Sequence, residues 1–132
     1  MRRFAIISMV IFGLGLAHAN SQESTWEVPD EAKARTNPVE RTEEAVKAGE
    51  TLYGKHCLMC HGAEGKGDGP ATKFIKPAPP DVTTADAKAR MSDGEIFYKV
   101  TNGKTPMPPT DRKLSEAERW QVVHYLRKLQ VN

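Results

Sequence analysis

The sequence predicts an all-α fold. With 132 residues, the chain has the length of a single domain. Two segments, which begin at Ser92 and Ser115, open with a serine that is followed three residues later by a glutamate. This capping-box pattern begins a helix, and apolar residues then recur at helical spacing. No stretch alternates apolar and polar residues as a half-buried strand does. We therefore expect a small helical domain without a sheet.

The first 19 residues form a separate segment. Met1–Arg3 is basic, an apolar run of 14 residues extends from Phe4 to Ala17, and Ala17-His18-Ala19 ends it with small residues. This is the layout of a secretory signal peptide. The run is also shorter than the roughly 20 residues that a membrane-spanning helix needs. We expect cleavage after Ala19, export to the periplasm and no membrane span in the mature chain, with an uncleaved N-terminal anchor as the alternative.

Residues 20–40 predict an extended arm in front of a domain that spans residues 41–132. They lack helical periodicity and contain two prolines, while Trp26 and Val28 are candidates to anchor them.

Charge is unevenly distributed along the chain. Residues 20–45 hold seven acids and three bases, whereas residues 46–132 hold ten acids and fourteen bases. A formal net charge of +2 lacks the strong basicity of nucleic-acid-binding domains, so we expect no nucleic-acid partner.

Three helices are predicted within the domain. The first begins after Thr42 as N-cap, with Asn37-Pro38 as an alternative start, and the other two follow the serines that open the capping boxes. Residues 62–81 contain eight glycines and prolines and predict an irregular segment. An irregular segment of this length is unusual inside a small domain. It becomes reasonable if something other than protein fills part of the core.

Both cysteines lie in Cys57-Leu58-Met59-Cys60-His61. Two thiols that are separated by two residues and followed by histidine form the attachment pattern of haem c. One helical turn brings the thiols close enough to add to the two vinyl groups of one porphyrin, and His61 can then bind the iron. A thioredoxin-like pair needs a βαβ unit, a zinc site needs two more ligands, and a disulfide over this short spacing is strained. We expect one covalently attached haem c.

A six-coordinate haem iron needs a second axial ligand. The mature chain offers five candidates: Met59, Met91, Met107, His56 and His124. Met59 lies inside the attachment turn, on the side of His61, and packing explains Met91. Met107 stands among three prolines in residues 105–109, where a stiff chain presents one thioether at a fixed place. We therefore expect Met107 to be the ligand, and a thioether opposite an imidazole raises the reduction potential, as in electron carriers.

From about Thr42 to Val131 the sequence resembles the class I c-type cytochromes. The residues that carry the resemblance are Gly49, Tyr53, the Cys57–His61 motif, Met107 with the proline after it, and the closing helix around Val122 and Tyr125. The resemblance implies an all-α fold of three to five helices wrapped around one covalently attached haem. It also implies that the first and last helices cross closely, with Gly49 and Tyr53 on one helix against Val122 and Tyr125 on the other.

The same resemblance implies a hydrogen bond from the ring N–H of His61 to a proline carbonyl, which sets the tautomer of the ligand. Pro70 occupies the matching position, and Pro77 is the alternative.

The function that the resemblance implies is electron transfer rather than catalysis. We expect a periplasmic carrier of a respiratory chain whose single haem cycles between Fe(III) and Fe(II) with His/Met axial ligation. Its partners would be a redox protein donor and acceptor. The alternative is a haem subunit held permanently in a periplasmic dehydrogenase complex. A haem enzyme with an open iron site would require that Met107 does not bind.

Overall fold

The computed structural model describes residues 26–130. The predicted signal peptide and its cleavage site lie outside the described residues. Within them the chain forms six α-helices and one 3₁₀ turn, Pro70–Lys73, and it contains no β-strand, which confirms the all-α fold. The helices are α1 Asp30–Lys33, α2 Glu43–His56, α3 Leu58–His61, α4 Ala85–Arg90, α5 Asp93–Asn102 and α6 Glu116–Leu129.

The helix count exceeds the expected three to five because α1 and α3 are single turns of four residues. The three helices that the sequence predicts correspond to α2, α5 and α6. In residues 26–130, no helix has the length and apolar character needed to cross a membrane.

Capping side chains set where the two long helices begin. Thr42 is the N-cap of α2, and its side-chain oxygen accepts a hydrogen bond from the Ala45 amide at 3.1 Å. The predicted start is therefore confirmed, and the alternative start at Asn37-Pro38 is wrong. Ser115 is the N-cap of α6 and forms a complete, reciprocal capping box with Glu118, as predicted.

The capping box predicted at Ser92 is only half formed. Ser92 Oγ accepts a hydrogen bond from the Glu95 amide, so α5 begins at the predicted place. The Glu95 carboxylate, however, pairs with Lys99 Nζ at 2.7 Å instead of returning to the Ser92 amide. An i,i+4 ion pair on the helix surface has thus replaced the second half of the box.

Helices α2 and α6 cross at Gly49. A Cβ atom at this position would lie 2.0 Å from the carbonyl oxygen of Gln121, so any larger residue would force the helices apart. One turn further along α2, the rings of Tyr53 and Tyr125 have centroids 5.2 Å apart. Gly49, Tyr53 and Tyr125 therefore lie together where α2 meets α6. Val122 is fully buried in the hydrophobic core, and its role in the crossing stays a prediction.

Helix α5 packs against α6 through an aromatic stack. The rings of Phe97 and Trp120 have centroids 3.9 Å apart and are nearly parallel, and Trp120 is completely buried. The other members of this buried cluster are Ile96, Val100, Leu114, Val122 and Val123. This buried core thus lies where α5 meets α6, and Leu52 of α2 also packs against it.

The arm before α2 packs against α5 instead of remaining extended along its whole length. Val28 is buried, as the sequence suggested, and Trp26 is partly buried with the Lys99 ammonium 5.8 Å from its ring centroid. Residues 30–33 form α1, where the sequence predicted extended chain. The turn forms because Ala32 is buried against α5. Four residues are too few to show a helical repeat in the sequence, so the turn could not be predicted from its own residues.

Polar groups of the arm fasten it to α6. The Arg35 guanidinium lies 4.7 Å from the ring centroid of Phe97 and 5.3 Å from that of Trp120, and it forms an ion pair with Glu116 at 2.6 Å. The Asn37 side-chain amide donates a hydrogen bond to the Trp120 carbonyl oxygen at 3.1 Å. The arm is therefore part of the folded body and closes the outer side of the aromatic stack.

A buried histidine on α6 makes the last arm contact before α2. His124 Nε2 lies 2.7 Å from the Val39 carbonyl oxygen, which can only accept, so Nε2 carries the proton. Nδ1 then faces the Asn37 amide at 3.5 Å. Both ring nitrogens of His124 therefore contact residues of the arm.

Residues 62–81 are largely irregular, as predicted, with the 3₁₀ turn Pro70–Lys73 as their only helical segment. Helix α4 was not predicted, although its N-cap, Thr84, accepts a hydrogen bond from the Ala87 amide and carries a recognisable signal. Arg127 of α6 holds the end of this region by donating from Nη2 to the Met91 carbonyl oxygen at 2.6 Å. The long connection is therefore attached to α6 at its end.

We predict that Gly49→Ala destabilises the holoprotein by about 2–3 kcal/mol, because overpacking a closed interface costs about that much. Gly54→Ala on the same helix is the matched control. Nothing lies within 4 Å of a Cβ at position 54, so this variant should gain up to about 1 kcal/mol from helix propensity. Urea unfolding of both holoproteins gives the comparison. Equal stability of the two variants would contradict the close crossing.

We predict that Arg35→Ala lowers the free energy of unfolding by about 1–2 kcal/mol, through loss of the ring contacts and of a half-exposed ion pair. Arg35→Lys keeps the charge but loses the planar stack, so it should recover less than half of this loss. Urea unfolding is measured in low salt and in roughly 1 M salt, where the screening length is about 3 Å. A loss that disappears entirely in high salt would show that ring contact contributes nothing.

Candidate haem attachment site

The residues of the Cys57–His61 motif form one tight helical turn directly after α2. The Cys57 amide donates to the Tyr53 carbonyl oxygen at 2.8 Å, so the motif continues from the last turn of α2. The Cys57 carbonyl oxygen then accepts hydrogen bonds from the Cys60 and His61 amides at 3.1 Å and 2.9 Å. Because these bonds close the turn, the two thiols and the imidazole are carried by one rigid unit.

Burial affects both kinds of functional group in this turn. Both cysteines are half-buried free thiols. Burial, together with the neighbouring Cys60, raises the pKa of Cys57 to about 12, so its thiol is protonated. Burial also lowers the pKa of His61, which keeps the imidazole neutral and leaves a ring nitrogen lone pair available to a metal.

The irregular segment folds back onto the attachment turn. The Gly67 amide donates to the His61 carbonyl oxygen at 2.9 Å, and the Gly69 amide donates to the Cys60 carbonyl oxygen at 3.2 Å. The Tyr53 hydroxyl donates to the Gly62 carbonyl oxygen at 2.7 Å, just after the motif. The last carbonyls of α3, which have no partner within the helix, are thus satisfied by the loop.

The 3₁₀ turn that begins at Pro70 packs on α3, so Pro70 lies beside the attachment turn. The hydrogen bond expected at His61 is not formed, however. His61 Nδ1 is buried and has no hydrogen-bond partner within the described residues, neither Pro70 nor Pro77. The second-shell role of Pro70 stays a prediction.

Met107 lies in the loop between α5 and α6 and packs, partly buried, against the core cluster. Its amide donates to the Lys104 carbonyl oxygen at 2.8 Å, and its carbonyl oxygen accepts from the Lys104 amide at 3.0 Å. Gly103, which ends α5, has φ +61° and adopts a left-handed conformation that favours glycine. The backbone on both sides of Met107 is therefore fixed.

The other candidate axial ligands lie in less suitable places. Met59 is 56% exposed on the attachment turn itself. Met91 Sδ lies 3.5 Å from Lys99 Nζ. His124 is buried with both ring nitrogens directed at the arm, and His56 is exposed at the end of α2. Met107 as the axial ligand stays a prediction.

The residues present fit a covalently bound haem. Two half-buried thiols and an imidazole whose pKa is lowered by burial share one helical turn. A thioether is held on a separate, rigid loop. This donor set of two thiols, one imidazole and one thioether is that of a c-type haem with His/Met ligation. Cys57 and Cys60 would hold the porphyrin covalently, and His61 and Met107 would bind its iron.

Residues 44–126, more than half of the chain, match the family described as cytochrome c oxidase, cbb3-type, subunit III. The chain belongs to this family of c-type cytochromes. Membership of this family makes it a haem c protein whose haem is attached covalently. No curated protein matches the sequence.

Two solved structures agree with this c-type cytochrome fold. A chain from the Kuenenia stuttgartiensis reducing HAO-like protein complex Kustc0457/Kustc0458 is 35% identical, with a TM-score of 0.63, and the match covers 70% of this chain. The match covers only 46% of that longer chain. The KustC0563 c-type cytochrome is 26% identical with a TM-score of 0.56, and 62% of this chain matches 96% of it.

Sequence reasoning missed the residues that fix the ligand loop and the arm. Arg35 and Asn37 carry no motif, since their contacts lie more than 80 positions away along the chain. Thr110 is a buried hydroxyl residue in a proline-rich loop, and its only sequence signal is that it follows Pro108-Pro109. These residues become recognisable only once α5 and α6 are in place.

Proposed function

We propose that this c-type cytochrome is an exported, single-haem electron carrier with His61 and Met107 as its axial ligands. When bound, the haem supplies one iron that changes between Fe(III) and Fe(II). The observation that carries the proposal is the combination of the Cys57–His61 turn with a separate loop that fixes the backbone of Met107 on both sides.

The chain's residues contribute by holding their ligating atoms still. Cys57 and Cys60 prevent loss of the cofactor because they attach it covalently. His61 is held by the backbone bonds of its turn, and the loop bonds to Cys60 and His61 keep that turn from fraying. Little movement of the ligands between the two oxidation states favours fast electron transfer. No acid, base or nucleophile is needed, since only an electron moves.

Export to the periplasm is part of this proposal. The N-terminal pattern of a basic start, a short apolar run and small residues before position 20 supports a cleaved signal peptide. Both cysteines of the chain lie in the attachment motif, so haem attachment would leave no free thiol to be oxidised outside the cytoplasm. We propose a redox protein donor and a redox protein acceptor as partners.

Met107→Ala tests the proposed ligand. In this variant no thioether competes for the iron, so imidazole should bind about 10- to 1,000-fold more tightly. In the wild type the state in which Met107 has left the iron would be populated at about 0.1–10%, whereas in the variant it becomes the only state. The reduction potential should fall, since a thioether opposite imidazole raises it. Optical titration of the oxidised protein with imidazole and a redox titration provide the measurements.

Met91→Ala is the matched control for this experiment, because Met91 also packs against the core cluster. Its imidazole affinity and reduction potential should remain close to those of the wild type. If Met107→Ala leaves both properties unchanged, Met107 is not the ligand. If Met91→Ala produces the larger changes, the ligand assignment moves to Met91.

The second candidate function is that of a permanent haem subunit in a dehydrogenase-like complex. One observation favours it: a similar solved chain belongs to an HAO-like protein complex. The two candidates share the same redox chemistry and differ only in assembly. We favour the free carrier because the arm, which lies outside the family match, is already folded onto α5 and α6 of its own domain.

Size-exclusion chromatography of the native protein separates the two candidates. The free carrier should elute as a single small chain from cells that express it at its natural level. A permanent subunit should instead elute with other chains at a fixed ratio, and it should do so in roughly 1 M salt, where electrostatic encounters are screened. Salt-resistant elution at a fixed ratio would overturn the assignment as a free carrier.

A further inference from the structure

Helix α5 ends one turn before the loop that carries Met107, and its last carbonyls need partners from outside the helix. The final helical bond is donated by the Gly103 amide to the Lys99 carbonyl oxygen. The next amide, that of Lys104, would bond to Val100 in a continuing helix. It donates instead to the Met107 carbonyl oxygen. The turn that holds Met107 therefore diverts a donor away from α5.

Thr110 supplies the donors that α5 lacks. Its hydroxyl donates to the Val100 carbonyl oxygen at 2.7 Å, and its amide donates to the Thr101 carbonyl oxygen at 3.1 Å. Thr110 is only 7% exposed, so these bonds are shielded from competing water. Thr110 lies three positions after Met107 and thus caps α5, which ends at Asn102, five positions before Met107.

The same residue also connects the loop to the segment that leads into α6. The Thr110 carbonyl oxygen accepts hydrogen bonds from the Lys113 and Leu114 amides at 3.0 Å and 2.9 Å, and Leu114 belongs to the buried core cluster. Four hydrogen bonds therefore meet at Thr110. They join the end of α5, the return of the Met107 loop and the approach to α6.

We propose that Thr110 is the positioning residue that keeps the Met107 thioether on the haem iron. This inference rests on the proposed function, because it takes Met107 to be the axial ligand. Gly103 and Thr110 mark the two ends of the Met107 loop. Gly103 supplies only a backbone turn, whereas the Thr110 hydroxyl adds a buried side-chain bond that opposes opening of the loop. Weakening that bond raises the population in which Met107 has left the iron.

Thr110→Val tests the proposal because it keeps the shape of the side chain and removes the hydroxyl donor. Loss of a buried hydrogen bond should raise the apparent imidazole affinity of the oxidised holoprotein about fivefold to tenfold. Thr110→Ser retains the hydroxyl and should bind imidazole as the wild type does. An unchanged affinity in Thr110→Val, or an equal increase in Thr110→Ser, would overturn the proposal.

A double variant distinguishes positioning from general loosening. In a Met107→Ala background, Thr110→Val should have no further effect on imidazole affinity, because the group that Thr110 positions is gone. A further increase of the same size would overturn the proposal. If Met107→Ala alone does not raise imidazole affinity, the ligand assignment fails. If it does and Thr110→Val does not, only the role of Thr110 fails.

Should Thr110→Val not accumulate as a holoprotein, hydrogen exchange in the wild-type holoprotein provides the test. The Thr110, Lys104 and Met107 amides should exchange together and slowly, as members of one cooperative unit. Exchange of the Thr110 amide much faster than that of Met107 would show that the loop holds Met107 without Thr110, and it would overturn the proposal.

Discussion

At Gly49, α2 approaches α6 so closely that the space left for a side chain is occupied by the Gln121 carbonyl oxygen. This approach determines the position of the attachment turn, because α3 continues directly from the last turn of α2. Tyr53 links the two features, since its ring packs against Tyr125 of α6 and its hydroxyl bonds to Gly62 next to the motif. A small shift at the crossing would therefore move the thiols and the imidazole together.

The loop that carries the proposed ligand Met107 depends on a different part of α6. The aromatic stack of Phe97 and Trp120 holds α5 against α6, and the loop with Met107 connects these two helices. The arm covers this stack through Arg35 and fastens to α6 through Asn37. Helix α6 thus packs against α2, which leads into the attachment turn, and against α5, which leads into the loop of the proposed ligand Met107.

Local sequence signals predicted the features that depend on neighbouring residues. Thr42 and Ser115 begin helices because their side chains bond to amides three positions away, and the haem attachment motif is a pattern of five adjacent residues. Features that depend on distant contacts were not predictable in this way. Residues 30–33 are helical through burial of Ala32 on α5, and Glu95 pairs with Lys99 rather than completing a capping box. The hydrogen bond from the His61 ring to a proline carbonyl, which the resemblance implies, is likewise not formed within the described residues.

The whole site depends on one haem that is attached covalently to Cys57 and Cys60. Intact mass spectrometry of the purified protein under denaturing conditions, with a thiol-alkylating reagent present, tests this attachment. We expect a chain that begins at Asn20, is heavier by one haem and contains no alkylated cysteine, with the added mass on the peptide that contains residues 57–61. A chain without added haem whose two thiols are both alkylated would show that the haem is not attached to these cysteines.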